Sequence, residues 1–174
     1  MYTYNLQNIF MTTHISHSLD ETAHIASRWL DSILNRERSQ QFPAAAVIGL
    51  SGNLGSGKTA FVKLVAKELG ITEDVTSPTF VIMKKYPIAD STEQTGGTRT
   101  FPWKNLVHID AYRLETGEQA RVLNFEHLIS DKENLIVIEW PEHIEHAIKS
   151  VAGYSQLSFS IPENDPNSRT ITEE

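Results

Sequence analysis

Residues able to do chemistry gather at three places in this sequence. They are the run Gly52-Asn53-Leu54-Gly55-Ser56-Gly57-Lys58-Thr59, the carboxylate Asp110 and the carboxylate Glu139. The run matches G-x-x-x-x-G-K-[ST], a pattern that means a phosphate site only between a strand and a helix. Gly52, Gly55 and Gly57 permit backbone angles closed to other residues and carry no Cβ to block an anion. Successive N–H groups can then form an anion nest, and a following helix aims its positive end at the same point. Lys58 adds a full charge for β- and γ-phosphates, and the Thr59 hydroxyl can take a magnesium ion.

Such a site needs a second metal partner, usually an acid at the end of an apolar strand. Two acids compete for that role. Leu135 to Glu139 holds four aliphatic residues and then Glu139, whereas Leu106 to Asp110 carries His108 inside its run. The pattern favours Glu139 for the metal, because its strand is the more buried type. Asp110 would then sit near the γ-phosphate and orient water, or else act as a helix cap or ion-pair partner. Ser77-Pro78-Thr79 can report a γ-phosphate as switch segments do, or form a plain turn. Arg113 reads as a phosphate partner or a surface ion pair. His143 and His146 read more simply as exposed polar residues than as metal ligands, and Trp29 as core.

The elements that must position these groups follow from periodicity. Ala44 to Leu50 is an uncharged apolar run, the mark of a buried parallel strand, and Ala60 to Leu69 has helical spacing before a stop at Gly70. Upstream, His14 to Leu19 predicts an edge strand, Ser18 or Asp20 a helix cap, and Glu21 to about Leu34 a helix, with Asn35 to Phe42 a polar connection. Downstream, Phe80 to Tyr86 predicts a strand, and Pro87 to Lys104 a long hairpin tip or insertion. Asn105 to Asp110 is a strand, and Thr116 or Gly117 opens a helix holding Ala120, Leu123, Leu128 and Ile129. Leu135 to Glu139 is a strand, Pro141 to Ser150 a short helix, and Tyr154 to Ile161 and Arg169 to Thr172 are strands. Alternating strands and helices predict an α/β, three-layer sandwich of the P-loop NTPase type: a central, mostly parallel sheet with antiparallel edge strands. Ligands in such folds lie beyond the carboxyl ends of the strands, which is where Gly52, Asp110 and Glu139 fall.

The 174 residues suit one domain, with residues 1–13 read as an N-terminal extension and 14–174 as the folded unit. A net charge of −7 argues against a general nucleic-acid binder. The chain lacks cysteine, which removes disulfides, thiol catalysis and cysteine zinc sites. No apolar run is long enough to span a membrane, and Met1 to Thr13 lacks the basic region and apolar core of a signal peptide. A soluble cytoplasmic protein is the expectation.

Gly52 to Thr59, Ser77-Pro78-Thr79-Phe80, His108-Ile109-Asp110-Ala111-Tyr112-Arg113-Leu114 and Ile138-Glu139-Trp140-Pro141 occur in this order. In combination they closely resemble the TsaE (YjeE) family of bacterial ATPases, over roughly Leu19 to Arg169. That family acts in making N6-threonylcarbamoyladenosine at position 37 of tRNAs that read codons starting with A. The resemblance implies ATP and Mg2+ as cofactors and TsaD and TsaB as partners, with tRNA met through the complex. It implies that Asn53, Leu54, Gly55, Ser56, Gly57, Lys58 and Thr59 hold the nucleotide, that Thr59 and Glu139 hold magnesium, and that Asp110, Glu139 and Lys58 serve hydrolysis. Thr22 resembles a threonine lying by the adenine, and Arg169 a basic position near the nucleotide. Asn53 stands where the family often has Asp, and Ala111 where a larger apolar residue is common. The 87–104 insertion is longer than usual. An ATPase driving a modification complex, a nucleotide-gated binding module and a small-molecule kinase remain as functional readings.

Overall fold

The computed structural model describes residues 12–40, 44–88, 100–114, 124–148 and 151–174. Seven described strands form one sheet: β1 (Thr12–Ser16), β2 (Ala46–Gly52), β3 (Met83–Pro87), β4 (Asn105–Asp110), β5 (Asn134–Glu139), β6 (Ser155–Ser160) and β7 (Arg169–Glu173). Their order is β1-β7-β6-β2-β5-β4-β3. The central four, β6-β2-β5-β4, are parallel, and β3, β7 and β1 pair antiparallel at the two flanks. This is the expected mixed α/β sheet. Its centre is parallel because β2, β4 and β5 are aliphatic and buried on both faces.

Two apolar layers sandwich the sheet. On one face, α1 (Leu19–Gln40) and α2 (Lys58–Glu68) press Ile25, Trp29, Ile33, Phe61 and Val65 onto Ile48, Leu50, Leu106 and Val137. Phe61 anchors this layer edge-to-face between Trp29 and Phe159, each centroid 5.4 Å away. On the other face, Val47, Val107, Ile109 and Ile138 pack with Phe125 of α3 (Phe125–Ser130) and Ile144 of a 3-10 turn (Pro141–Ile144). Ile148 of α4 (Glu145–Ile148) completes that layer.

The structure departs from periodicity at three places. α1 continues to Gln40, beyond the predicted end at Leu34. Its last turns lack an apolar stripe but carry Arg36, whose guanidinium donates to the Gly153 carbonyl and to Ser155 Oγ at 3.4 and 3.2 Å. β3 starts at Met83, so Phe80, Val81 and Ile82 do not belong to it. Pro78 sets a turn there, accepting the N–H groups of Val81 and Ile82, and Ile82 takes a φ of +66° before the chain straightens. β1 is Thr12–Ser16 rather than His14 to Leu19, because α1 takes Leu19 into its first turn. Ser18 is its cap: its Oγ accepts the Glu21 N–H, while Glu21 Oε2 accepts that of His17. The Pro87–Lys104 tip, the helix opening near Thr116 and the end of the Pro141–Ser150 helix fall wholly or partly outside the described residues, as do residues 1–11.

Candidate nucleotide and metal site

The loop between β2 and α2 is built by its backbone. Gly52 has a φ of +133°, and a Cβ there would lie 2.2 Å from the Phe159 carbonyl oxygen. Gly57 has a φ of +107° as it caps α2, a conformation that only glycine takes cheaply. Lys58, nearly fully buried, folds back over the loop. Its Nζ donates to the carbonyls of Gly52 at 2.6 Å and Asn53 at 3.1 Å, and sits 4.1 Å from the Trp140 ring centroid. Burial pushes the Lys58 ammonium below its ordinary pKa, and the nearby carboxylates of Glu139, Glu142 and Asp110 oppose that shift.

The two strand-end acids are neighbours with different partners. Asp110 and Glu139 are register partners in the parallel β4–β5 ladder. The Thr59 hydroxyl lies 2.8 Å from Glu139 Oε1 and 3.0 Å from Oε2, and His108 Nε2 lies 2.9 Å from Oε1. Asp110 Oδ2 accepts from Ser77 Oγ at 3.0 Å and from the Thr79 hydroxyl, and Oδ1 accepts the Tyr112 N–H at 3.1 Å. Ser77-Pro78-Thr79 is therefore more than a plain turn: it is fastened to a site acid. Beyond Glu139 the chain turns sharply. Trp140 has a φ of +60°, Pro141 opens the 3-10 turn, and the Trp140 ring packs against Tyr112 at 5.1 Å.

Two clefts meet over the loop. One, of about 280 Å³, is walled by Lys58, Thr59, Ser77, Thr79, Asp110, Glu139 and Trp140. The other, of about 310 Å³, lies between the start of α1 and β7 and is lined by Ser16, Ser18, Leu19, Thr22, Phe159, Asn167 and Arg169. Gly55 and Gly57 border both. The first has the charges and hydroxyls for phosphates; the second has the size and edge polarity for a nucleoside. Ser56 Oγ lines the second cleft, buried and without a partner among the described residues.

Thr22 and Arg169, at opposite ends of the sequence, both line the second cleft. The Thr22 hydroxyl bonds Ser16 Oγ at 2.7 Å and the Ser18 carbonyl at 3.0 Å. Arg169 donates to the carbonyls of Pro166 and Ser168 and reaches the Gly55 carbonyl at 3.5 Å. Sequence reasoning missed Ser16, Ser18, Leu19 and Asn167, which carry no motif, and His108, whose spacing two residues before Asp110 puts it on the same strand face. Arg113 stacks over the Phe80 ring at 4.7 Å. His143 and His146 are exposed, and no group of three or more metal-ligating side chains occurs among the described residues. Magnesium takes one or two protein oxygens plus phosphate and water rather than a protein cage. Thr59 and Glu139 offer such hard oxygens in contact with one another.

A glycine loop joining a central parallel strand to a helix, with acids at the ends of the neighbouring strands, defines the P-loop NTPase-like fold. The chain also matches the family model described as "Threonylcarbamoyl adenosine biosynthesis protein TsaE" over residues 16–171, and it belongs to that family. It is 36% identical over 111 residues to the tRNA threonylcarbamoyladenosine biosynthesis protein TsaE of Streptomyces coelicolor, covering 63% of this chain and 66% of that one. With the same-named Bacillus subtilis protein it shares 34% identity over 126 residues, 72% of this chain and 67% of that one. For the Borreliella burgdorferi protein the figures are 33% over 100 residues, 58% and 63%. The chain thus spans about two thirds of the length of these curated relatives. A crystal structure of Bacillus subtilis YdiB superposes with a TM-score of 0.60 at 25% identity, covering 94% of this chain and 84% of that one. No helix among the described residues is long and apolar enough to cross a membrane.

Proposed function

We propose that the chain binds ATP with Mg2+ in the two adjoining clefts and hydrolyses it. In this reading the hydrolysis supports threonylcarbamoyl transfer to A37 of tRNAs reading ANN codons, in the cytoplasm and together with TsaB- and TsaD-type partners. The observation that carries the reading is the convergence of Lys58, the Thr59–Glu139 pair and Asp110 at the mouth of the phosphate loop. Loop N–H groups and Lys58 hold the phosphates, and Thr59 and Glu139 hold Mg2+, which when bound neutralises charge developing on the transferred phosphoryl group. Asp110 orients the attacking water. Thr22 and Arg169 flank the nucleoside.

Protein partners are supported by exposed apolar residues around the phosphate cleft. Leu54 and Tyr112 line it, and Phe80 and Val81 follow Thr79. A net charge of −7 favours reaching tRNA through those partners. The test is reconstituted tRNA modification with Asp110→Ala and Glu139→Ala. Loss of repeated turnover is expected, and sustained turnover in both variants would sink the assignment.

A second reading treats ATP chiefly as a switch. The bonds from Ser77 and Thr79 to Asp110 favour it, because they tie a segment with exposed Phe80 to the site. Full multiple turnover with a non-hydrolysable ATP analogue would select this reading.

A further inference from the structure

A buried histidine lies under the metal-side carboxylate. Residues two apart on a strand share a face, so His108 and Asp110 point the same way from β4, as Val137 and Glu139 do from β5. His108 is in register with Val137, one step below Glu139. It is fully buried in a layer whose other members include Leu106, Leu135 and Val137. Its Nε2 lies 2.9 Å from Glu139 Oε1, and its Nδ1 has no partner among the described residues. A carboxylate accepts and does not donate, so Nε2 carries the hydrogen of that bond. An aliphatic side chain would fill the layer without a polar group to desolvate.

The Thr59 hydroxyl is nearly equidistant from both Glu139 oxygens, at 2.8 and 3.0 Å, so it does not fix which of them faces the phosphate cleft. His108 touches Oε1 alone. We infer that His108 is a positioning residue that sets the rotation of the Glu139 carboxylate and leaves Oε2 for the shell of a bound Mg2+. The inference rests on the reading of Glu139 as the metal-side acid and extends it one residue inward. Partners that orient metal ligands typically change metal affinity by about 10- to 100-fold when lost.

The test uses the full chain with a non-hydrolysable ATP analogue and titrates Mg2+, reading the magnesium-dependent rise in melting temperature. Nucleotide affinity in excess chelator is measured alongside. His108→Leu removes the donor, His108→Gln keeps an N–H near the Nε2 position, and His108→Asn keeps polarity with shorter reach. The expected result is a half-saturating Mg2+ concentration raised about tenfold in His108→Leu and His108→Asn and restored to within about threefold in His108→Gln, with chelator-state affinity unchanged. If His108→Leu does not fold, the Gln and Asn variants decide by the same criterion. Equal magnesium dependence in the Gln and Asn variants, with Glu139→Gln impaired, overturns the inference alone. Wild-type magnesium dependence in Glu139→Gln overturns the metal reading and the inference with it.

Discussion

Asp110 and Glu139 stand side by side at the ends of β4 and β5, yet their carboxylates are held by different parts of the chain. Glu139 is bonded by Thr59 of the phosphate-loop helix and by His108 below it. Asp110 is bonded by Ser77 and Thr79 of the segment leading to β3. Two like acids are thereby held in different surroundings, and substitutions should separate their proposed roles.

Lys58→Ala should weaken ATP binding by roughly 30-fold or more, the scale of a charge-assisted bond of about 2–3 kcal/mol. Equilibrium binding of a fluorescent ATP analogue measures it. An affinity equal to wild type would count against the loop as a phosphate site.

Asp110→Asn should bind ATP and Mg2+ within a few-fold of wild type while losing hydrolysis by about 100-fold or more, as expected for a water-orienting group. Single-turnover hydrolysis beside equilibrium binding gives the comparison. A loss confined to binding would move Asp110 out of the hydrolytic role.

Glu139→Gln should behave differently, abolishing the added stability that Mg2+ confers on the ATP complex. Glu139→Ala should also destabilise the ligand-free protein by about 1–3 kcal/mol, because the buried N–H of His108 would lose its acceptor. Urea unfolding without ligand checks the second effect.

Gly52→Ala should destabilise the fold by more than about 1 kcal/mol and impair ATP binding, since the position has positive φ and the added methyl meets a backbone oxygen. Gly55→Ala meets no atom within 4 Å but keeps a φ of +78°, so its cost should be the smaller. Thermal unfolding of the two variants ranks them.

Tyr154 supplies a pH test remote from the phosphates. Burial first, then the charges of Glu174, Glu142 and Glu145, raise its phenol well above the ordinary value of 10.0. A folded-state value above the unfolded one gives stability that is present below pH 10 and is lost as pH rises beyond it. Wild type should therefore lose more stability than Tyr154→Phe between about pH 9 and about pH 11. Parallel losses would show that the phenol titrates alike in both states.

The phosphate loop and its flanking strand and helix were legible because glycine spacing, an uncharged aliphatic run and helical periodicity coincide over Ala44 to Leu69. The antiparallel flanks were expected of the terminal strands and of the chain after Tyr86, and β1, β7 and β3 fill them; the alternating Tyr154 to Ile161 run became β6, which pairs parallel with β2. The extent of α1 was not legible, since Arg36 is held by tertiary bonds to Gly153 and Ser155 rather than by an apolar stripe. His108 misled in a useful way. A polar residue made Leu106 to Asp110 look less buried than Leu135 to Glu139, but the strand is buried because that residue bonds Glu139. The second cleft had no local signature, because Ser16 and Leu19 meet Asn167 and Arg169 only after β1 pairs with β7.

That pairing has a consequence for how the protein is made. A chain synthesised from its N-terminus forms the phosphate loop from residues near 52–59, long before residues 167–171 emerge. The loop alone can attract an anion, but one wall of the cleft between α1 and β7 is absent until β7 has docked on β1. If the chain binds nucleotide as proposed, tight capture therefore reports a finished fold, and ligand-linked stability accrues to the completed molecule rather than to the nascent one.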